Sequence, residues 1–258
     1  MLSRPTRFFL LAFAITWVLQ LPALLARFGA IPGPQEKYLA LVGLGAFGPM
    51  IAAMVCARRE EGVRALFRPL VFKTNPLWVV AAIAMPGAIF VASALIWNAF
   101  GHRETLFYWP DQPAFVLALF VFSFGEEIGW RGYALPKLTA RIGALGASVV
   151  IGFFWTLWHI PMLTLQGIGA GLYPIFFVLM IGGSVLFTWL VRRSGSLLVA
   201  IAAHAGVHLN NTGHALPARW APVALHAAGY AIVAIALAVF DQTFRPTGHT
   251  TPVPPSPQ

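Results

Sequence analysis

Residues 77–100 read LWVVAAIAMPGAIFVASALIWNAF, a run of 24 residues without a charged side chain. As an α-helix this run would extend about 36 Å at about 1.5 Å per residue, enough to cross a hydrocarbon core about 30 Å thick. Comparable apolar runs occupy 8–26, 38–57, 114–131, 144–163, 173–191, 197–212 and 222–240. The chain is therefore predicted to be an all-α, polytopic integral membrane bundle with about eight transmembrane helices.

The composition of the whole chain agrees with a membrane protein. Of its 258 residues, 59% are hydrophobic and only 10% are charged, whereas a soluble domain has about 25% charged residues. These values exclude a soluble domain, a disordered chain and a nucleic-acid-binding arm, despite the net charge of +9. The single cysteine, Cys56, lies in an apolar run and excludes an intramolecular disulfide and a cysteine metal cluster.

The distribution of positive charge predicts the orientation of the chain. With the N-terminus in the cytoplasm, eight spans place 13 of the 17 Lys and Arg residues on the cytoplasmic side: Arg4, Arg7, Arg58, Arg59, Arg64, Arg68, Lys73, Arg131, Lys137, Arg141, Arg192, Arg193 and Arg245. The other side has Arg27, Lys37, Arg103 and Arg219. Cytoplasmic loops are enriched in Lys and Arg, so this asymmetry supports eight helices with both termini cytoplasmic.

The apolar runs divide the chain into four regions. Residues 1–113 contain helices one to three, and residues 114–212 contain helices four to seven. Residues 213–240 contain the last helix. Residues 241–258 include five prolines and have no apolar periodicity, so they are predicted to form a disordered, Pro-rich tail.

Two carboxyl groups and a guanidinium lie at the end of the fourth apolar run, in the segment FSFGEEIGWR at 122–131. Ionisable side chains inside a membrane are costly and mark functional sites. Glu127 and Arg131 are four residues apart on one helix face, which predicts an ion pair. Glu126 is rotated by about 100° and has no evident counter-charge, so it is the candidate general base. A closed network that only fixes helix packing is the structural alternative.

A histidine marks the fifth apolar run, in the segment FFWTLWHIP at 153–161. His159 lies late in this run, and Trp155 lies one helical turn earlier on the same face. Pro161 is expected to kink the helix just beyond. A histidine in this position is either a packing residue with its hydrogen bonds satisfied or part of a site.

Two more histidines lie in the seventh run, in the segment AAHAGVHLNN at 202–211. His204 and His208 share a helix face and could bind a metal or form an interhelical hydrogen-bond pair. Ala205 stands where a His-Glu-x-x-His zinc protease has its glutamate, so that motif is absent. Counting about 1.5 Å per residue places Glu126 and all three histidines in or near the middle third of the bilayer, where they can form one site.

Together the three segments resemble the CPBP intramembrane protease family, also called the Abi family, which includes CAAX prenyl endopeptidases and bacteriocin-processing or immunity proteins. Its pattern is Glu-Glu-x-x-x-Arg, aromatic-x-x-x-His and His-x-x-x-Asn or Asp on separate membrane helices. The matching residues are Glu126, Glu127, Arg131, Trp155, His159 and His204. His208 stands where the family has Asn or Asp. The resemblance is to a bacterial branch and makes 114–212 the predicted catalytic core.

The resemblance implies an intramembrane endopeptidase that hydrolyses a peptide bond in a membrane-associated or lipidated peptide or protein. Glu126 would activate a water that His159 helps to position. His204, together with His208, would stabilise the oxyanion. The resemblance also implies supporting roles for Glu127, Arg131 and Trp155.

Three alternatives to this mechanism remain at the level of sequence. In the first, Glu126, His159, His204 and His208 hold a zinc ion, whereas the favoured mechanism requires no cofactor. In the second, the chain is a catalytically silent immunity or partner protein in the membrane. In the third it is a proton-coupled transporter, although no internal repeat is evident.

The expected partners are the lipid bilayer and a peptide or membrane-protein substrate, with no nucleic acid. The resemblance of the motif sequences to a bacterial branch predicts a bacterial cytoplasmic (inner) membrane as the location.

Overall fold

Ten α-helices make up most of the computed structural model, which describes residues 3–60, 62–70, 74–103, 112–210 and 220–244. No strand occurs within these ranges. In chain order the helices are α1 (Arg4–Arg27), α2 (Leu39–Leu44), α3 (Gly48–Ala57), α4 (Val63–Phe67), α5 (Pro76–Ala99), α6 (Pro113–Glu127), α7 (Leu135–Leu165), α8 (Tyr173–Ser194), α9 (Leu197–Asn210) and α10 (Trp220–Phe240).

Six helical stretches of the described chain are long and apolar enough to cross a membrane: Arg4–Arg27, Gln35–Ala57, Pro76–Ala99, Pro113–Leu165, Ala170–Ser194 and Trp220–Phe240. The 53-residue stretch Pro113–Leu165 contains two of the predicted spans. Gly143 separates them, because its φ of 73° and ψ of 168° are not helical. The short apolar helix Leu197–Leu209 corresponds to the predicted seventh span. The prediction of an all-α membrane bundle is therefore confirmed.

Local sequence signals set where the long helices begin and end. Asn75 caps α5, because its side-chain oxygen accepts a hydrogen bond from the Leu77 amide at 2.9 Å, and Pro76 takes the first helical position. Pro113 likewise begins α6. Gly195 ends α8 in the left-handed conformation, with φ at 68°.

The structure differs from the predicted fourth span at its inner end. That span was expected to be a regular α-helix to residue 131, but Ile128–Ala134 form a π-helix between α6 and α7. The residues Gly129, Trp130 and Arg131 are buried within it. A π-helix often occurs at a functional site, and this one directly follows Glu126 and Glu127.

The predicted Pro-rich tail is described only in its first four residues, and these are ordered. Residues Gln242–Phe244 form a 3-10 helix, and Phe244 is buried against the bundle. Asp241 accepts hydrogen bonds from the Trp189 indole at 2.9 Å and from the Thr243 amide at 2.7 Å. These contacts fasten the end of α10 to α8. The remaining tail, 245–258, lies outside the described residues.

Asp241 predicts a pH-dependent contribution to stability. Hydrogen bonds from Thr243 and Trp189 lower the pKa of this carboxyl to about 2. Since the folded-state pKa lies below the unfolded value of about 3.9, the contribution is present above pH 4 and is lost as the pH falls towards 2. Asp241→Asn should therefore lower the melting temperature at pH 7, and the difference from the wild type should shrink in acid. A constant difference from pH 7 to pH 2 would contradict this assignment.

Close helix contacts at glycine bring the helices of the core together. A Cβ at Gly206 of α9 would lie 2.9 Å from the Ile83 backbone of α5. A Cβ at Gly152 of α7 would lie 2.6 Å from the Ile181 backbone of α8. Small residues allow helix backbones to approach this closely in membranes. In this way α7 and α9, which carry the predicted histidines, are held within the bundle.

Gly152→Ala tests this packing. An alanine inside a helix normally stabilises it by about 1 kcal/mol, but here the new methyl group meets the α8 backbone. We expect a net destabilisation of about 1–3 kcal/mol, measured as a lower melting temperature by tryptophan fluorescence in detergent. Gly146→Ala is the matched control, because a Cβ there meets only the Ile142 side chain, at 3.4 Å. Equal melting temperatures for the two variants would contradict the close contact.

Candidate active site

The structure brings the three predicted motifs to one place in the bundle. Glu126 and Glu127 end α6, Trp155 and His159 lie in α7, and His204 and His208 lie in α9. Both glutamates, Arg131, Trp155 and His204 are buried, while His159 and His208 are partly exposed.

A buried charged network forms around Glu127. The Arg131 guanidinium donates from Nη1 to Glu127 Oε1 at 2.9 Å, and His204 Nδ1 donates to the same oxygen at 2.9 Å. The Glu127 and Arg131 side chains have no solvent exposure, and His204 has 2%. The ion pair predicted from the i, i+4 spacing is confirmed. Its contact with His204 extends it across two helices.

The contact with Glu127 fixes how the His204 ring is oriented. Because a carboxylate only accepts hydrogen bonds, the Nδ1 atom of His204 carries a proton. In the neutral ring the Nε2 atom then has a lone pair and no proton. Glu127 thus fixes the orientation of the His204 ring, and Nε2 has no partner within the described residues.

Glu126 has a different environment from its neighbour. Its Oε2 atom accepts a hydrogen bond from the Trp155 indole Nε1 at 2.8 Å, and the residue is 5% exposed. Within the described residues Glu126 forms no ion pair, whereas Glu127 pairs with Arg131. The two adjacent carboxyl groups therefore have different partners, one a cation and the other a neutral donor.

Trp155 also contacts His159. The Nδ1 atom of His159 donates to the Trp155 carbonyl oxygen at 2.8 Å, which leaves Nε2 as an acceptor in the neutral ring. A single residue thus binds Glu126 through its side chain and His159 through its backbone. The Trp155 ring also lies 5.2 Å from the His204 ring in an edge-on arrangement. Glu126, His159 and His204 therefore all contact Trp155.

Arg131 contributes to the site in a second way. Its guanidinium carbon lies 4.8 Å from the centre of the Trp155 ring and 5.0 Å from the Phe187 ring. A cation above an aromatic face is attracted by the ring electrons. The guanidinium therefore holds the Trp155 ring while it neutralises Glu127.

His208 stacks on His204. The two ring centres are 5.0 Å apart with an interplanar angle of 24°. Among the described residues His208 forms no hydrogen bond, and it is partly exposed. It therefore lies against the His204 ring, and its own ring nitrogens have no partner within the described residues.

The four residues of the predicted zinc site do not form a ligand cluster. In the described part of the chain, no group of three His, Cys, Asp or Glu side chains is placed to hold a metal ion. His204 Nδ1 is bound to Glu127, and an oxygen of Glu126 is bound to Trp155. The zinc alternative stays a prediction, because the Nε2 atoms of His159 and His204 have no partner within the described residues.

Two comparisons with known proteins identify similar proteins. Residues 108–210 match the family model described as type II CAAX prenyl endopeptidase, Rce1-like. A protein of Methanococcus maripaludis called CAAX prenyl protease 2 is 27% identical over 234 residues, which cover 80% of this chain and 83% of that protein.

A helical membrane bundle with this match is an intramembrane protease of the CAAX type. The matched family model and this relative agree with the resemblance to the CPBP family that the motifs predicted. The matched region lies almost entirely within the predicted core at 114–212.

Proposed function

We propose that this intramembrane endopeptidase uses Glu126 as a general base and cleaves a membrane-associated or lipidated peptide. The observation that carries the proposal is a pair of hydrogen bonds at Trp155. One binds the Glu126 carboxylate and the other binds the His159 ring, so both side chains are positioned by the same residue. Two acceptors held in fixed positions by one residue can orient a single water molecule between them.

The proposed reaction begins at Glu126. A carboxylate has about four acceptor positions, and Trp155 takes one, so Glu126 retains positions for the proton of a water. His159 Nε2 accepts from the same water and directs its lone pair towards the scissile carbonyl carbon. The water oxygen bonds to that carbon as Glu126 takes the proton. Glu126 then gives this proton to the amine nitrogen as the peptide C–N bond breaks.

The negative charge on the carbonyl oxygen requires a hydrogen-bond donor. A neutral His204 cannot donate from Nε2, because its one proton is on Nδ1 and is bound to Glu127. His208 is therefore the neutral donor that we assign to the oxyanion, in the position where the family has Asn or Asp. His204 orients His208 by stacking and, when protonated, adds a second donor.

The proposed substrate class is a peptide carrying a lipid. The relative's name describes a prenyl protease, and the ionisable groups lie among apolar helices, where a lipidated peptide partitions. A peptide precursor or another membrane protein fits the same site.

The test follows cleavage of a quenched lipidated peptide by the full chain in detergent, with the cut bond identified by mass spectrometry. Trp155→Phe keeps the aromatic ring but removes the donor to Glu126. Since a hydrogen bond to a charged group contributes about 1.5–3 kcal/mol, we expect kcat to fall about ten- to hundredfold with little change in KM. Trp97→Phe is the control, because the Trp97 indole has no hydrogen-bond partner among the described residues. A Trp155→Phe enzyme with full kcat would contradict the proposed role.

A further inference from the structure

A cavity of about 350 Å³ lies outside the proposed active site, at one end of the bundle. Its walls come from the start of α1, the end of α3, α4, the π-helix and the first turns of α7. Three cationic side chains line it, Arg4, Lys137 and Arg141. The rest of the lining is mainly apolar and includes Leu66 and Pro136.

The cavity has more positive than negative charge. Glu60, beside it, lies 3.0 Å from the Lys137 ammonium and 3.7 Å from the Arg4 guanidinium. Arg141 has no ion-pair partner among the described residues and is exposed. The burial of Glu60 opposes its ionisation, but hydrogen bonds from Lys137 and Tyr133 and the nearby cations outweigh that effect and lower the pKa of Glu60. The described residues that line the cavity include three cations and no carboxylate.

The position of the cavity matches the headgroup level of a bilayer. Arg4 begins the first membrane-spanning helix, and Ala57 ends the second. Lys137 and Arg141 lie between the π-helix and the break at Gly143. Cations at this level meet the phosphates of lipids, and basic pockets between membrane helices bind anionic headgroups.

We propose that this cavity binds the phosphate of an anionic phospholipid, with Arg4 and Arg141 on the phosphate and the apolar wall against the glycerol and the start of the acyl chains. The three cations of the described lining favour an anion, and the apolar lining favours a lipid over a free ion. Gly132 and Tyr133 of the π-helix also line the cavity, so the bound lipid contacts the segment that carries Arg131. This inference is independent of the proposed catalytic mechanism.

The test measures lipid binding to the purified full chain by native mass spectrometry. Phosphatidylglycerol and phosphatidylcholine are titrated separately into delipidated protein in detergent. Each cation near a phosphate is worth about fivefold in affinity. The Arg4→Gln/Arg141→Gln variant should therefore bind phosphatidylglycerol at least tenfold more weakly than the wild type. The control is Arg192→Gln/Arg193→Gln, which removes two exposed cations from the end of α8 and should leave this binding unchanged.

Ala140→Trp tests whether the lipid binds within the cavity or only to a positively charged surface. Ala140 lines the cavity, and a tryptophan there fills space without changing charge, so it should also weaken phosphatidylglycerol binding about tenfold. Melting temperatures of all variants without lipid verify folding. Equal losses in the two arginine pairs, or full binding by Ala140→Trp, would overturn the proposal. Inorganic phosphate at millimolar concentration should not displace bound phosphatidylglycerol. If it competes as effectively as added phosphatidylglycerol does, the cavity is a site for free anions and the lipid assignment is overturned.

Discussion

Glu126→Gln should lower kcat by about a hundred- to ten-thousandfold, the range that a general base contributes. The amide oxygen of glutamine can still accept the Trp155 indole hydrogen bond, so the local geometry is kept. The amide cannot take a proton from water at neutral pH. We therefore expect KM for the quenched lipidated peptide to stay close to the wild-type value.

The stability of Glu126→Gln should change in the opposite direction from its activity. Glu126 is a buried carboxyl group without an ion pair in the described chain, and burial of an unpaired charge is unfavourable. The variant should melt at or above the wild-type temperature, which excludes unfolding as the cause of inactivity. Glu36→Gln, the same change at an exposed glutamate, is the control for kcat. Activity retained in Glu126→Gln would remove the residue from the proposed base role.

The second large effect is expected at the buried ion pair. Arg131→Met leaves the Glu127 carboxylate without its counter-charge in the interior, where removing one partner costs about 3–5 kcal/mol. The variant should lose most of its thermal stability and its activity together. Melting temperature and cleavage rate are measured on the same sample.

The double variant Glu127→Leu/Arg131→Met separates stability from chemistry. Replacing both charges by apolar side chains is often neutral for stability, so the double variant should recover much of the melting temperature. It should still be impaired at least about a hundredfold in kcat, because His204 has lost the carboxylate that orients it. A double variant as active as the wild type would show that Glu127 does not act through His204.

The sequence predicted the parts of this site that depend on local spacing. Glu127 and Arg131 are four residues apart, and they pair as the helix geometry requires. The different environments of Glu126 and Glu127 also followed from their rotation about one helix. The apolar runs predicted the membrane bundle, because each must satisfy its backbone hydrogen bonds internally.

The contacts between helices could not be derived in this way. Trp155 and Glu126 are 29 residues apart, and His204 and Glu127 are 77 apart. Counting residues along each helix predicted a similar depth in the bilayer for these residues. It gave no information about which helix faces contact one another. The shared role of Trp155 also depends on its backbone carbonyl, which no side-chain pattern identifies.

The π-helix was missed for a related reason. Residues 128–134 contain no proline to mark a change, and their one charged residue, Arg131, has the spacing to Glu127 that an α-helix favours. The irregular turn lies where Gly129 packs against Pro49. That contact depends on the position of α3, which the sequence of α6 does not encode.

In the proposed mechanism Glu126 activates water without a bound metal. The direct test measures metal content by mass spectrometry and cleavage of the quenched lipidated peptide in the same detergent-solubilised sample, for the wild type and Glu126→Gln. We expect full wild-type activity with far less than one metal ion per chain, and this activity should be unaffected by chelator and lost in Glu126→Gln. Activity that rises in proportion to one bound zinc, disappears with chelator and is lost in His208→Ala would contradict it.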